Sequence, residues 1–382
     1  MKWEKVKLGE LYEVHNGLSK AGKFFGEGYP FLTFSTVFNN YFIPNQITDL
    51  VQSTKKEQDS YSIRRGDVFV TRTSETSDEL GMSCVALKDY PMATYNGFTK
   101  RMRPITNRVF PEYIGYYMRL PSFRGEFRAF STMTTRASLR NEDLLGLEVD
   151  IPPIEIQKQI AGILSAYDDL IENNQKQIKL LKEAAQRLYK EWFVDLRFPG
   201  HENTKIVDGV PEGWSRTNIN EILTFHRGYD LTKNEMKAGR YPVVGSTTVI
   251  GYHNEFKIKG PGIVTGRSGS LGKYQFIWDN FWPHNTSLYI SDYKDHNIFF
   301  VYSLLQTVDF ASLNSGGAIP TLNRNVLSNI EVIEPTDELQ EMFAKIAEPQ
   351  YQKIKNLEKQ NNQLKMARDV LLPKLMSGEV EV

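Results

Sequence analysis

From Glu155 to Phe193 the apolar side chains recur in steps of three and four, at Ile156, Ile160, Ile163, Tyr167 and Leu170, then at Ile178, Leu181, Ala185, Leu188 and Trp192. Such spacing lines one face of a helix. The same rhythm returns after Glu338, at Leu339, Phe343, Ile346, Ile354, Leu357, Leu364, Ala367, Leu371 and Leu375. Two long helices are predicted. Ahead of each lie short β-branched and aromatic runs broken by Gly, Pro and Asn, with one or two helices, which is the pattern of a mixed α+β domain. The chain therefore reads as domain 1–152, helix 153–197, domain 198–335 and helix 336–382.

A helix over 155–193 extends about 58 Å at 1.5 Å per residue. Two striped helices of this length bury their faces most economically against each other, as an antiparallel coiled coil with the domains at its ends. Asn174 and Asn361 interrupt the stripes. Each is either a polar seam residue that sets register or a solvated break where the helices splay. Pro373 is expected to kink or end the second helix before Gly378.

The two halves also repeat each other in sequence. SLRNEDLLGLEVDIP at 138 is echoed by TLNRNVLSNIEVIEP at 321, and WEKVKLGELYEVHNG at 3 by WSRTNINEILTFHRG at 214. His15 aligns with His226, YPFLTFST at 29 with YPVVGSTT at 241, and Asn96 of TYNGFTK with Asn285 of PHNTSLY. RRGDVFVTRTS faces KGPGIVTGRS, each an apolar run after a Gly turn that delivers an Arg and a hydroxyl, Arg72 with Thr73 and Arg267 with Ser268. A whole-chain duplication fixes the architecture before any single motif does.

Composition narrows the class. The 382 residues are 40% apolar and 24% charged, ordinary usage for a protein of two or more domains. Cys84 is the single cysteine, so no intrachain disulfide and no cysteine zinc cage can form, and a cytoplasmic location is expected. No run approaches a membrane span, and the first ten residues lack the apolar centre of an export signal. The formal net charge is zero, which argues against a nucleic-acid partner until the charge is resolved along the chain. Between Thr99 and Arg140, Lys100, Arg101, Arg103, Arg108, Arg119, Arg124, Arg128, Arg136 and Arg140 stand against Glu112 and Glu126. Phe256 to Lys273 holds Lys257, Lys259, Arg267 and Lys273 with no acid. Either stretch reads as a basic binding face or as an ordinary solvated surface.

The segments RLYKEWFVDLRFPG at 187 and RDVLLPKLMSGEV at 368, with the twice-used Glu-Val phrase that ends in Pro before a Glu-x-Gln helix start, resemble the specificity subunit of type I restriction-modification systems. The resemblance covers the whole chain. It implies two target recognition domains that alternate with two helical regions, each domain reading one half of a bipartite double-stranded DNA site. It implies two modification (methyltransferase) subunits as partners, which carry S-adenosylmethionine and methylate adenine, and restriction (ATP-dependent translocase/endonuclease) subunits as further partners for cleavage. No cofactor is then expected on this chain. Consistent with that, it holds no Asn/Asp-Pro-Pro-Tyr tetrapeptide, no G-x-G-x-x-G turn and no phosphate loop. The lookalikes are IPPIE at 151, which lacks the amide and aromatic ring that hold a flipped base, and TGRSGSLGK at 265, which lacks the Lys-Ser/Thr ending and reads better as a backbone-hugging DNA loop. Six histidines show no close metal spacing. A coiled-coil scaffold without DNA binding and a self-sufficient methyltransferase or nuclease are the competing classes.

A DNA-facing surface needs Arg and Lys for phosphates, and Arg, Asn, Ser and Thr for base edges, on loops that a scaffold positions. The first domain offers Arg72, Thr73, Asn96, Lys100, Arg101, Thr134, Thr135 and Arg136; the second offers Arg267, Ser268, Ser270, Lys273, Asn285, Asn314 and Ser315. His15 and His226 suit a turn or a DNA contact. Tyr95, Phe98 and Tyr229 are expected in the core, and Cys84 as a small apolar filler. If the helices set the half-site spacing, four residues inserted near Arg187 add about 6 Å and lengthen the unread spacer by about one or two base pairs. The methylated motif of the insertion variant measures this. An unchanged spacer at full activity removes the helices as the ruler.

Overall fold

The computed structural model describes residues 3–74, 79–129, 137–267, 272–308 and 330–382. It divides into two compact units, 1–171 with 362–382 and 172–361. In the first, an antiparallel four-stranded sheet runs in the order Tyr12–Asn16, Thr99–Pro104, Val68–Thr71, Ser83–Val85. A three-stranded sheet joins Leu50–Val51, Phe25–Leu32 and Thr94–Tyr95, the last pair parallel. A two-stranded ribbon pairs Glu4–Lys7 with Glu148–Ile151. The second unit repeats all three: Thr224–Arg227, Ser287–Asp292, Gly262–Gly266, Tyr274–Ile277; then Val249–His253, Tyr241–Val244, Trp282–Pro283; then Ser215–Asn218 with Glu331–Glu334.

The repeated phrase acquires a physical meaning here. Its strand pairs in each unit with the strand of the repeated Trp phrase, so Val6 faces Val149 and Thr217 faces Val332. The Pro that follows is held by the glutamine of the helix start. Gln157 Nε2 donates to Pro152 O (2.8 Å) and Gln340 Nε2 to Pro335 O (3.0 Å), both side chains buried. A buried amide left without such a partner costs about 1–3 kcal/mol, so the Glu-x-Gln signature is a latch between strand and helix.

Both long helices form, at Ile154–Tyr189 and Asp337–Ser377. Their pairing is antiparallel within each unit. In the first, Ile160, Ala161 and Leu164 share a core with Leu372, Leu375 and Met376, and Asp168 pairs with Arg368. In the second, Tyr189 meets Phe343 (ring centroids 5.8 Å) and Lys182 lies 3.7 Å from Glu358. The buried row sits one position beyond part of the expected stripe: Leu164, Ile171 and Ala347 are buried, whereas Ile163, Leu170 and Ile346 are exposed. Steps of three and four fit either of two neighbouring rows, and only the partner helix chooses between them.

Asn174 and Asn361 resolve as a seam pair. Both are buried, and Asn174 Nδ2 donates to Asn361 Oδ1 (2.9 Å) and to Gln360 Oε1 (3.1 Å). Shifting the register would strip both amides of partners, which is how a polar seam pair specifies alignment. Pro373 does not itself end the helix. The helix passes through it to Ser377 and stops at Gly378, whose φ of +71° lets Glu379 N–H return to Lys374 O (3.0 Å). Proline forfeits one helical hydrogen bond, but the flanking Leu372, Leu375 and Met376 are all buried, and that burial outweighs the loss.

Candidate nucleic-acid interface

In each unit the central strand of the four-stranded sheet ends at an arginine. Arg72 follows Val68–Thr71 and Arg267 follows Gly262–Gly266. Arg72 N–H donates to Phe98 O (3.0 Å), and Arg267 N–H to Thr286 O (3.1 Å). The two arginines are therefore equivalent in backbone as well as in sequence. The same bonds correct the alignment of the neighbouring turn. Asn96 N–H reaches Leu32 O (3.0 Å) where His284 N–H reaches Val244 O (2.9 Å), so Asn96 matches His284, and Asn285 lies one residue on. The identity of two asparagines had suggested the other register.

Arg72 is half-buried, its Nε is enclosed without a hydrogen-bond partner, and no acid pairs with it among the described residues. Leu139 N–H caps its carbonyl (2.9 Å), and Thr73 beside it pairs in register with Ser138. Lys100 and Arg101 are 5% and 3% exposed. Lys100 donates to Asn141 Oδ1, and burial first, then the nearby Arg72 charge, lowers its pKa. Arg101 lies over the Tyr95 ring (5.5 Å) and donates to Ser62 O (2.8 Å); burial lowers its pKa as well. Asn96 Oδ1 accepts the Phe98 N–H (2.7 Å), so this side chain shapes the turn. In the second unit Arg267 is half-buried, again with no side-chain partner among the described residues, and Lys273 is exposed. Asn285 donates to Asp230, which also faces Arg227 (3.4 Å). Thr134, Thr135, Arg136, Ser268, Ser270, Asn314 and Ser315 lie outside the described residues.

Part of the basic run from 99 to 140, Lys100, Arg101, Arg103 and Arg119, turns inward, while Arg108 and Arg140 make exposed surface pairs. Arg103 grips Asp67 through Nε and Nη2 (2.8 and 2.7 Å), Arg108 pairs with Glu4 and Arg140 with Asp143. Arg119 donates to the carbonyls of Ser83, Phe38, Val37 and Asn40, and burial brings its pKa down to about 10. A local charge excess thus marks internal pairing more than a binding face. Tyr95 is buried as expected, but Phe98 is 58% exposed. The Asn-Gly turn signal just before Phe98 could have flagged it. His15 and His226 occupy equivalent edge strands of the two four-stranded sheets, opposite Arg101 and Tyr289, and both are exposed. Cys84 is buried, which pushes its thiol up to about 12 and leaves it an apolar filler.

A duplicated α+β unit, each copy ending an inner strand of its four-stranded sheet in an arginine with no acidic partner among the described residues, and each anchored on paired long helices, defines a tandem recognition protein. The type I restriction modification DNA specificity domain matches residues 1–183 and 211–366, and the chain belongs to that family. The type I restriction enzyme MjaIX specificity subunit of Methanocaldococcus jannaschii is 25% identical over 415 residues, covering 100% of this chain and 94% of that one. The type I restriction enzyme HindI specificity subunit of Haemophilus influenzae is 23% identical over 474 residues, 99% of each chain. The crystal structure of the S subunit of a type I restriction-modification system from M. genitalium shares the fold, with a TM-score of 0.59, 19% identity and coverage of 98% of this chain and 96% of that one. The chain is a DNA sequence-specificity subunit, and no helix among the described residues is long and apolar enough to cross a membrane.

Proposed function

We propose that each unit reads one half of a bipartite duplex site through the surface around its uncompensated arginine, and that the chain carries no catalytic step itself. The carrying observation is the equivalence of Arg72 and Arg267. A half-buried guanidinium with no acid beside it among the described residues is open to an acceptor from outside, and a DNA phosphate or a guanine edge supplies one. Thr73 adjoins Arg72, Lys273 follows Arg267 by six residues, and Asn96 and Asn285 lie on the turns whose carbonyls, Phe98 O and Thr286 O, accept the two arginine N–H groups; together they add hydroxyl, ammonium and amide groups.

Methylation of adenine, with S-adenosylmethionine bound on the partner, falls to two modification subunits, and cleavage to restriction subunits, in the cytoplasm. Exposed apolar side chains on the helices support docking of partners. The first unit leaves Ile163, Leu170, Met366 and Val370 in solvent, and the second leaves Leu180, Met342 and Ile346. Exposed apolar side chains grouped on a helix mark an interaction surface, and one such set per unit suits two partner subunits.

The test uses the complex assembled with its modification subunit and the duplex it methylates. Arg72→Ala and Arg267→Ala are each expected to weaken binding about tenfold, the effect of one good Arg contact of about 1–3 kcal/mol. A phosphate contact also reduces the salt slope by about one, whereas a base contact relaxes one position of one half-site. Unchanged affinity and motif in both variants removes this surface from the interface.

A further inference from the structure

Isolated exposed apolar residues are common and by themselves mean little. Phe98 differs in how it is held. Its N–H is taken by Asn96 Oδ1 (2.7 Å) and its carbonyl by the Arg72 N–H (3.0 Å). The preceding Gly97 N–H donates to Leu18 O (2.8 Å), and the following Thr99 closes the turn on Asn96 O through its N–H (3.0 Å) and its hydroxyl (2.7 Å). The backbone is tied on both sides, yet the ring stands 58% exposed with no aromatic partner among the described residues. A side chain presented from a fixed turn loses less freedom on binding, so a contact made by it is retained as affinity.

The second unit shows what else can occupy this position. The carbonyl that accepts the Arg267 N–H belongs to Thr286, whose hydroxyl lies 2.9 Å from His284 Nδ1. Beside two equivalent arginines the protein thus presents a large apolar ring in one unit and a short side chain, with its hydroxyl turned to a histidine, in the other. On the major-groove edges of the bases the apolar group is the thymine methyl. A ring without a facing aromatic is not a two-sided slot for an extruded base.

We propose that Phe98 reads the 5-methyl group of a thymine in the half-site recognised by the first unit. The proposal rests on the assignment of the Arg72 surface to DNA. It predicts that replacing the thymines of the first half-site by deoxyuridine, which removes only the methyl, weakens binding by the assembled complex about fourfold, the value of one buried carbon group. Phe98→Ala, an exposed position whose melting temperature should match the native chain, is expected to bind both duplexes equally. Deoxyuridine in the second half-site should affect both proteins alike.

Equal losses in the native and Phe98→Ala complexes, no loss in the native complex, or a first half-site without an A·T pair overturns the proposal. Arg72→Ala on the same duplexes separates the two assignments. If it binds every duplex as well as the native complex, the surface itself is misassigned. If it weakens all of them while Phe98→Ala keeps the deoxyuridine discrimination, only the role of Phe98 falls.

Discussion

Asp67→Ala is expected to destabilise the first recognition unit by about 3–5 kcal/mol, the cost of leaving a buried charge without its partner. Asp67 is fully buried and receives Arg103 Nε (2.8 Å), Arg103 Nη2 (2.7 Å) and the Arg64 N–H (2.7 Å). Arg103 has a second acceptor, Ser62 O (2.9 Å), which cannot neutralise it. Removing the carboxylate therefore strands a guanidinium behind the strand that ends in Arg72. The double variant Asp67→Ala with Arg103→Met should recover most of the loss, because a buried pair is worth little more than the apolar groups that replace it. Urea unfolding of the single and double variants measures both effects. A single-variant loss below about 1 kcal/mol would show that water reaches Arg103 and that the pair behaves like a surface bridge.

Phe343→Ala should cost the second unit a similar amount, about 3–5 kcal/mol, through lost burial and the cavity left behind. Phe343 is fully buried, and its ring lies 5.4 Å from Phe193, 5.8 Å from Tyr189 and 6.3 Å from Trp192. Those three belong to the RLYKEWFVDLRFPG segment, whose Phe198 packs tilted against Trp214, with ring centroids 4.8 Å apart. The family signature is thus a packing motif, in which aromatic residues after the first helix fill the core of the second unit. Phe343→Leu keeps most of the volume and should cost about 1.5 kcal/mol or less. The unfolding midpoint of the second unit distinguishes the two variants. Equal losses from Ala and Leu would mean that ring geometry, and not filled volume, stabilises the cluster.

A neutral chain that reads DNA is less paradoxical once the charges are placed. Among the described basic side chains between 99 and 140, Arg101, Arg103 and Arg119 are taken up by carbonyls, a carboxylate and a ring within the first unit, and Arg108 and Arg140 pair with acids at its surface. On the proposed reading, specificity depends on a few groups at fixed positions, and net charge records neither their number nor their place.

The sequence by itself determined the duplication, the two long helices and the family. Periodicity, Gly turns and repeated phrases are local signals, and local signals survive without knowledge of what packs on what. Tertiary structure decided the rest. It chose which of two adjacent helical rows is buried, made Asn174 and Asn361 partners, carried the helix through Pro373 and moved the repeat register so that Asn96 matches His284. It also turned Lys100 and Arg101 inward and Phe98 outward. Each outcome depends on a partner far away in the chain. A lysine between Thr99 and Arg101 looks the same in sequence whether or not an Asn141 waits to receive it, because burial and pairing belong to the assembled core and not to the residue.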